Sequence, residues 1–220
     1  MQISRVNRSK AEARRMYNRL SSFYDLLSGG SEAAFIQLGL DMLEVKSGET
    51  VLEIGSGTGK VLLKLASRVG SSGCVVGIDL SSGMLHRAQA RIEHTGASRV
   101  VKLVEGDGCY LPSPRGSFSA VYTSFTLELF DTPEIPLVLA EIWRVLNSGG
   151  RLGVVCMLKT DHPSRMVRLY EWLHGTFPSL ADCRPIDVRP MIESAGFRIE
   201  SIRERSMWGL PVELVLAKKP

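Results

Sequence analysis

Three glycines alternate in the segment VLEIGSGTGK, directly after a run of apolar residues. Glycine at Gly55, Gly57 and Gly59 lets the backbone approach a ligand closely, as it does in loops that bind phosphates or nucleosides. A Walker phosphate loop is disfavoured because Val61 stands after Lys60, where that loop needs Ser or Thr. A dinucleotide fingerprint is incomplete because Lys60 replaces its third glycine. The remaining interpretation is a turn that admits some other nucleoside.

Two carboxylates follow the next two predicted strands at the points where those strands end. Asp79 lies in GIDLSSGML and Asp107 lies in EGDG. Because parallel strands present their carboxyl ends at one edge of a sheet, both should face the site of the glycine loop. A carboxylate at Asp79 can accept hydrogen bonds from both hydroxyls of a ribose. Asp107 can accept one from the exocyclic amine of adenine, although an Asp before Gly108 is also typical of a simple turn.

An α/β framework is needed to bring these residues together, and the apolar pattern predicts one. Short apolar runs predict strands, and segments with helical spacing separate most of them, which favours a parallel sheet with helices on both faces. The predicted strands are 50–54, 74–79, 100–104, 118–123 and 151–158, followed by a hairpin of 197–205 and 211–218, so that one strand should be antiparallel. The predicted helices are 10–28 (with a break near Ser21–Ser22), 31–45, 59–69, 82–94, 133–147, 162–177 and 185–195, with a turn at 147–150.

The composition excludes several classes of protein. The net charge of +4 is mildly basic and does not require a nucleic-acid partner. The four cysteines lie too far apart for a Cys-x-x-Cys metal or redox pair. No apolar run approaches the roughly 18 residues of a membrane-spanning helix, and the N-terminus lacks the apolar segment of a secretory signal. We therefore expect a single cytoplasmic domain over residues 1–220, with no metal site.

Four segments occur in the order and at the spacing of a known family: VLEIGSGTGKVLLKLA, VVGIDLSSGML, VEGDGCYLP and EIWRVLNSGGRLGVV. They resemble the successive motifs of class I S-adenosylmethionine-dependent methyltransferases and cover about residues 50–157. Within that superfamily, FYDLL and RVLNSGGRL are similar to the ubiquinone/menaquinone C-methyltransferase group. The resemblance implies a Rossmann-like α/β fold, with a mostly parallel seven-stranded sheet, one antiparallel strand, helices on both faces and an N-terminal helical lid.

The same resemblance implies S-adenosylmethionine as cofactor, S-adenosylhomocysteine as its product, and no metal. Glu53 and the glycine loop would receive the methionine part of the cofactor, and Met84 would flank the adenine unless it only packs in the core. The cofactor-binding residues implied in this way are Tyr24, Glu53, Gly55, Ser56, Gly57, Gly59, Asp79, Leu80, Met84, Gly106, Asp107, Gly108, Thr123 and Ser124.

No catalytic triad is expected, because methyl transfer from a sulfonium is an in-line displacement with a neutral leaving group. A phenol or hydroxyl acceptor would still need a base. The candidates are His162 and His174, in an aromatic insertion over 159–184, and Tyr24, in an N-terminal cap over 1–46. Solvated surface histidines and a core tyrosine are the alternatives.

The predicted function is methyl transfer to a small apolar or lipid-like acceptor, such as a prenylated quinol. Phospholipid-amine N-methylation, methylation of another small metabolite and a non-catalytic nucleoside-binding scaffold stay open. The segment YTSFT lacks the Asn/Asp-Pro-Pro-Tyr/Phe motif of nucleic-acid amino-methyltransferases, so no nucleic-acid partner is expected. Basic residues among 1–20 favour weak peripheral contact with a membrane surface. The oligomeric state, monomer or homodimer, stays open.

Overall fold

The computed structural model describes residues 5, 6, 8–22, 30–160, 167 and 184–220. Strands and helices alternate through the middle of the chain, as the apolar pattern predicts. The strands are β1 (Thr50–Ile54), β2 (Cys74–Asp79), β3 (Val101–Glu105), β4 (Phe118–Ser124), β5 (Leu146–Met157), β6 (Arg198–Met207) and β7 (Leu210–Lys218). The α-helices in the described ranges are α1 (Lys10–Leu20), α2 (Ala33–Leu43), α3 (Lys60–Val69), α4 (Ser82–His94), α5 (Ile135–Val145) and α6 (Val188–Ser194).

The strands form one seven-stranded sheet in the order β3-β2-β1-β4-β5-β7-β6. Pairing is parallel from β3 through β5, whereas β7 runs antiparallel to both β5 and β6. The predicted fold class, a mostly parallel Rossmann-like sheet with one antiparallel strand, is confirmed. The strand order changes direction between β1 and β4, and open α/β sheets bind ligands beyond the carboxyl ends of the strands at such a point.

Helices cover both faces of the sheet. On one face α5 and α6 bury residues such as Leu139 and Ile192, and on the other face α2, α3 and α4 bury residues such as Leu40, Leu65 and Ile92. The apolar residues of α3 recur at helical spacing and those facing the sheet are buried, which is why this segment forms a helix on the sheet. Each buried leucine-sized side chain contributes about 1.5–3 kcal/mol, so the two layers hold the carboxyl edge in a defined geometry.

The start of β5 differs from the prediction. The sequence predicts a turn at 147–150, but the strand already begins at Leu146, which pairs with Phe118 of β4. Gly149 N donates a hydrogen bond to Lys219 O near the end of the chain. The register with β4 shifts from Leu146 opposite Phe118 to Arg151 opposite Ala120, and Gly149 has a φ of +73°, so the stretch 147–150 bulges within the strand.

The last helix is shorter than predicted, because Ile186 forms a bridge with Leu158 instead of a first helical turn. The first helix ends at Leu20, before the predicted break. The predicted helix at 162–177 lies outside the described residues except for Val167. Within the described ranges, no helix combines the length and the apolar character needed to cross a bilayer.

Candidate functional site

The glycine loop after β1 is held against the end of β2. Gly55 N and Ser56 N both donate to Ile78 O, at 2.9 and 3.1 Å. A Cβ on Gly55 would lie 2.3 Å from Thr126 Oγ1, so packing alone requires glycine there. Gly57 has a φ of +51° and lines a cavity, and a Cβ on it would meet no protein atom within 4 Å. The space beside Gly57 is therefore free for a ligand.

Asp79 ends β2 and is bonded to the loop. Its Oδ2 accepts a hydrogen bond from Gly57 N at 2.8 Å, and its Oδ1 accepts one from Ser81 N at 2.9 Å. Burial raises the pKa of this carboxyl above its usual value, although the backbone donors oppose the shift. Each carboxylate oxygen keeps a second lone pair. Both oxygens can therefore accept a further hydrogen bond from a ligand hydroxyl.

Glu53 lies in β1 beneath the loop and is 2% exposed. Its Oε2 has no hydrogen-bond partner among the described residues. Burial, with the nearby Asp79 carboxylate, raises the pKa of Glu53 well above its usual value. A buried polar atom without a partner is costly, and a ligand ammonium group would supply the missing donor and favour the ionised form. Ser56 Oγ is likewise buried without a partner in the described structure, so this corner fits the polar methionine part of S-adenosylmethionine.

Asp107, after β3, is engaged by the N-terminal helix. Lys10 Nζ of α1 donates to Asp107 Oδ2 at 2.5 Å and forms an ion pair with Glu134 at 2.8 Å, while Cys109 N donates to Asp107 Oδ1 at 3.0 Å. Burial alone would raise the pKa of Asp107, but the hydrogen bonds from Lys10 and Cys109 outweigh it and lower that pKa. Sequence reasoning missed Lys10, because it lies 97 positions before its partner.

Further contacts hold α1 across the carboxyl ends of β2 and β3. Asn18 Oδ1 accepts hydrogen bonds from Ser81 Oγ at 2.7 Å and from Gly83 N at 2.9 Å. Arg14 forms an ion pair with Glu105 at the end of β3. The helix therefore covers the edge at which the two predicted ligand carboxylates lie.

One cavity opens at this edge and connects the glycine loop with the N-terminal segment. Its lining includes the predicted residues Glu53, Gly55, Ser56, Gly57, Asp79, Leu80, Met84, Gly106, Asp107, Gly108 and Ser124. Gly59 and Thr123 do not line it: Gly59 packs on Ala88, and Thr123 is 1% exposed. Three predicted residues, Tyr24, His162 and His174, lie outside the described residues. In the part of the chain that is described, no His, Cys, Asp and Glu side chains group to hold a metal ion.

The wall of the cavity beyond β4 is mainly apolar. It is formed by Ile36 of α2 and by Phe125, Leu129 and Phe130 of the segment after β4, together with the half-buried carboxylate of Glu32. This wall adjoins Ser124, the last residue of β4, where the sequence analysis expects the transferred methyl group. The cavity thus has a polar end at the glycine loop and a mainly apolar end beside it.

Arg184 holds the segment that carries this apolar wall. Its guanidinium is fully buried and donates to Glu128 O at 3.2 Å, to Phe130 O at 2.5 Å and to Thr132 Oγ1 at 3.0 Å. Sequence reasoning missed Arg184 because a single arginine before a proline carries no pattern. Its contacts hold the segment 128–132, which lies more than 50 positions earlier in the sequence.

The chain matches the model of a methyltransferase domain over residues 51–150. The demethylmenaquinone methyltransferase of Lactococcus lactis is 32% identical to it, over 89% of this chain and 84% of that protein. The protein of the same name from Tropheryma whipplei is 37% identical, over 78% of this chain and 69% of that protein. The 2-phytyl-1,4-naphtoquinone methyltransferase of Nostoc punctiforme is 28% identical, over 74% of this chain and 71% of that protein.

Solved structures share the fold at lower identity. The cyclase SpnF has a TM-score of 0.79 at 19% identity, with 99% of this chain and 98% of that chain covered. A SAM-dependent methyltransferase from Aquifex aeolicus has a TM-score of 0.62 at 21% identity, with 97% of this chain and 100% of that chain covered. Because a fold alone does not define a reaction, the family assignment rests on the sequence relatives. The chain belongs to the class I S-adenosylmethionine-dependent methyltransferases, in the group of the ubiquinone/menaquinone biosynthesis C-methyltransferases.

Proposed function

We propose that this methyltransferase transfers a methyl group from S-adenosylmethionine to a prenylated quinol or a similarly apolar small acceptor. The observation that carries the proposal is one cavity that joins the glycine loop and the Glu53 carboxyl, whose Oε2 has no partner among the described residues, to an apolar wall. Cofactor and acceptor would meet at the end of β4. Relatives named for the methylation of demethylmenaquinone and of 2-phytyl-1,4-naphtoquinone support this class of acceptor.

The polar end of the cavity would bind the cofactor. Asp79 would accept hydrogen bonds from both ribose hydroxyls, Asp107 would accept one from the adenine amine beside Lys10, and Glu53 would accept one from the ammonium group. The other proposed contacts are Tyr24, Gly55, Ser56, Gly57, Gly59, Leu80, Met84, Gly106, Gly108, Thr123 and Ser124. When bound, the cofactor supplies an electrophilic methyl group on a sulfonium. The leaving group is a neutral thioether, so its departure needs no acid and no metal.

The apolar end would bind the ring and the start of a prenyl chain. The N-terminal cap over 1–46 would act as a lid, since α1 is anchored by side-chain contacts at the carboxyl edge. The insertion over 159–184 would cover the acceptor, with Tyr24, His162 or His174 close to its hydroxyl. We propose a cytoplasmic protein with weak peripheral contact to the membrane surface, where such acceptors dissolve, and without a nucleic-acid partner.

A methyl-transfer assay tests the proposed function. The protein is incubated with methyl-labelled S-adenosylmethionine and a dithionite-reduced demethylmenaquinone that has a short prenyl chain, and the product is analysed by mass spectrometry. We expect one new methyl group on a ring carbon. With S-adenosylmethionine held near its wild-type Kd, Asp79→Ala should give about tenfold less product, or lower still. The control variant is Asp41→Ala. Asp41 pairs with Arg68 and does not line the cavity.

The other outcomes identify the alternatives. Transfer only to a hydroxyl oxygen would resemble the reaction named for the nocamycin O-methyltransferase of Saccharothrix syringae, which is 35% identical over 63% of this chain and 49% of that protein. Transfer only to phosphatidylethanolamine would show that the acceptor is a phospholipid amine and not a quinol. Tight binding of S-adenosylhomocysteine without transfer to any acceptor in a cell extract would indicate a non-catalytic scaffold.

A further inference from the structure

The orientation of α2 brings one end of this helix to the carboxyl edge of the sheet. Leu43, near the end of α2, lies beside Gly153 of β5, while Gly39 packs so tightly on Val155 that an added Cβ would lie 2.6 Å from Val155 Cγ2. One turn earlier, Ile36 O accepts a hydrogen bond from Tyr122 Oη at 3.1 Å. The helix therefore runs antiparallel to β4 and β5, and its first turn reaches the edge where the cavity opens.

Glu32 stands immediately before this first turn and lines the cavity. Its backbone carbonyl accepts the first hydrogen bond of the helix, from Ile36 N at 2.9 Å, but its side chain makes no capping hydrogen bond. Within the described residues, its carboxylate forms neither a hydrogen bond nor an ion pair. The carboxylate is therefore held by the backbone of a packed helix, and its oxygens are left for a molecule in the cavity.

Glu32 differs in this respect from the other carboxylates of the cavity. Asp79 and Asp107 are bonded to backbone N–H groups, Asp107 and Glu134 are paired with Lys10, and Asp131 is paired with Arg5 at 2.6 Å. Glu53 lies under the glycine loop at the cofactor end. Among the described lining residues, Glu32 is the half-buried carboxylate beside the apolar wall, where the acceptor of the proposed reaction would bind.

From this placement we propose that Glu32 is the general base that removes a hydroxyl proton from the acceptor, which deepens the proposed methyl transfer and rests on it. For a hydroquinone, Glu32 takes the proton of one hydroxyl. The electron pair released into the ring forms the new carbon–carbon bond to the donated methyl group, whose bond to sulfur is broken with both electrons left on sulfur. The hydrogen on the methylated ring carbon then leaves as a proton to water, and Glu32 returns its proton to the oxygen. One proton is released in total.

The electrostatic surroundings suit this role. Burial raises the pKa of Glu32 to about 7, and the positive charge of Lys60, which also lines the cavity, opposes that shift. Among the described residues, Glu128 also interacts with Glu32; it is a fully buried carboxyl whose pKa burial raises to about 8. Glu128 does not line the cavity, and its Oε1 accepts a hydrogen bond from Met157 N at 3.2 Å. A base with a pKa near the working pH is ionised often enough to accept a proton and basic enough to hold it.

The test compares wild type, Glu32→Gln and Glu32→Asp, with Glu44→Gln as the matched control at the other, exposed end of α2. The acceptor is the reduced short-chain demethylmenaquinone, and kcat and KM are measured between pH 5.5 and 9.5. We expect the kcat of Glu32→Gln to fall about 100- to 10,000-fold at pH 7.5, with KM and the Kd of S-adenosylhomocysteine within about twofold of wild type. Glu32→Asp should recover part of the rate.

The pH profile separates a base from a merely structural residue. The kcat of wild type should fall about tenfold per pH unit below about 7 and level off above it. The kcat of Glu32→Gln should not level off there, but should rise with pH until the acceptor ionises by itself. A Glu32→Gln enzyme with wild-type kcat, or with kcat that still levels off above about pH 7, would overturn the proposal. So would a profile in which only Glu128→Gln abolishes that levelling. Absence of turnover by wild type on this acceptor would instead refute the proposed function.

Discussion

Replacing Asp79 with alanine should weaken cofactor binding by one to two orders of magnitude. Asp79 Oδ1 and Oδ2 each accept one backbone hydrogen bond, at 2.9 and 2.8 Å, so one lone pair on each oxygen is left for a ribose hydroxyl. Hydrogen bonds to a charged acceptor contribute about 1.5–3 kcal/mol. Loss of the carboxylate should therefore raise the Kd of S-adenosylhomocysteine about 10- to 150-fold.

The same substitution should change stability far less. Burial raises the folded-state pKa of Asp79 above its unfolded value, so the contribution of this carboxyl to the free energy of unfolding falls as the pH rises above about 3.9. Alanine removes that penalty and also removes the acceptor of Gly57 N and Ser81 N. Because the two effects oppose each other, Tm at pH 7.5 should remain within about 5 °C of wild type.

Calorimetric titration with S-adenosylhomocysteine measures the affinity, and thermal unfolding followed by circular dichroism measures Tm. Asp41→Ala is the matched control, since Asp41 pairs with Arg68 at 2.5 Å and does not line the cavity. It should bind the cofactor product as wild type does. A folded Asp79→Ala variant with wild-type affinity would refute the reasoning that the carboxyl end of β2 holds the ribose.

Three further substitutions test other parts of the site. Gly57→Val should abolish measurable cofactor binding, because the side chain would enter the cavity. It should also cost about 1–3 kcal/mol of stability, because φ is +51°. Wild-type affinity of this variant for S-adenosylhomocysteine would mean that the loop is only a turn. Glu53→Gln should flatten the pH dependence of the free energy of unfolding in urea. The raised folded pKa of Glu53 makes wild type lose stability as the pH rises above about 4.3. Equal slopes in the two proteins would contradict a raised pKa of Glu53. Lys10→Met should speed amide exchange in α1 several-fold relative to an Arg68→Met control, since a partly exposed ion pair is worth about 0.2–1 kcal/mol; unchanged exchange would show that other contacts hold the helix.

The sequence by itself determined the fold class and the edge at which the ligand site lies. Each signal is local: an apolar run predicts a strand, and the glycine or carboxylate directly after it marks the end of that strand. In a parallel sheet these ends meet at one edge, so the order of the motifs was enough to predict that Gly57, Asp79, Asp107 and Ser124 would share a cavity. No long-range contact had to be known for that inference.

The tertiary structure alone decided what these groups contact. Lys10 reaches Asp107 across 97 positions and Arg184 reaches Phe130 across 54, and no periodicity in the sequence links such pairs. The bulge at 147–150 is likewise bonded to Lys219, at the other end of the chain. Glu32 faces the cavity only because α2 packs antiparallel to β4 and β5, an orientation set by side-chain packing on the sheet and not by the residues around Glu32. Local patterns can predict elements and their ends, but the docking of one element on another depends on surfaces that form only when the chain has folded.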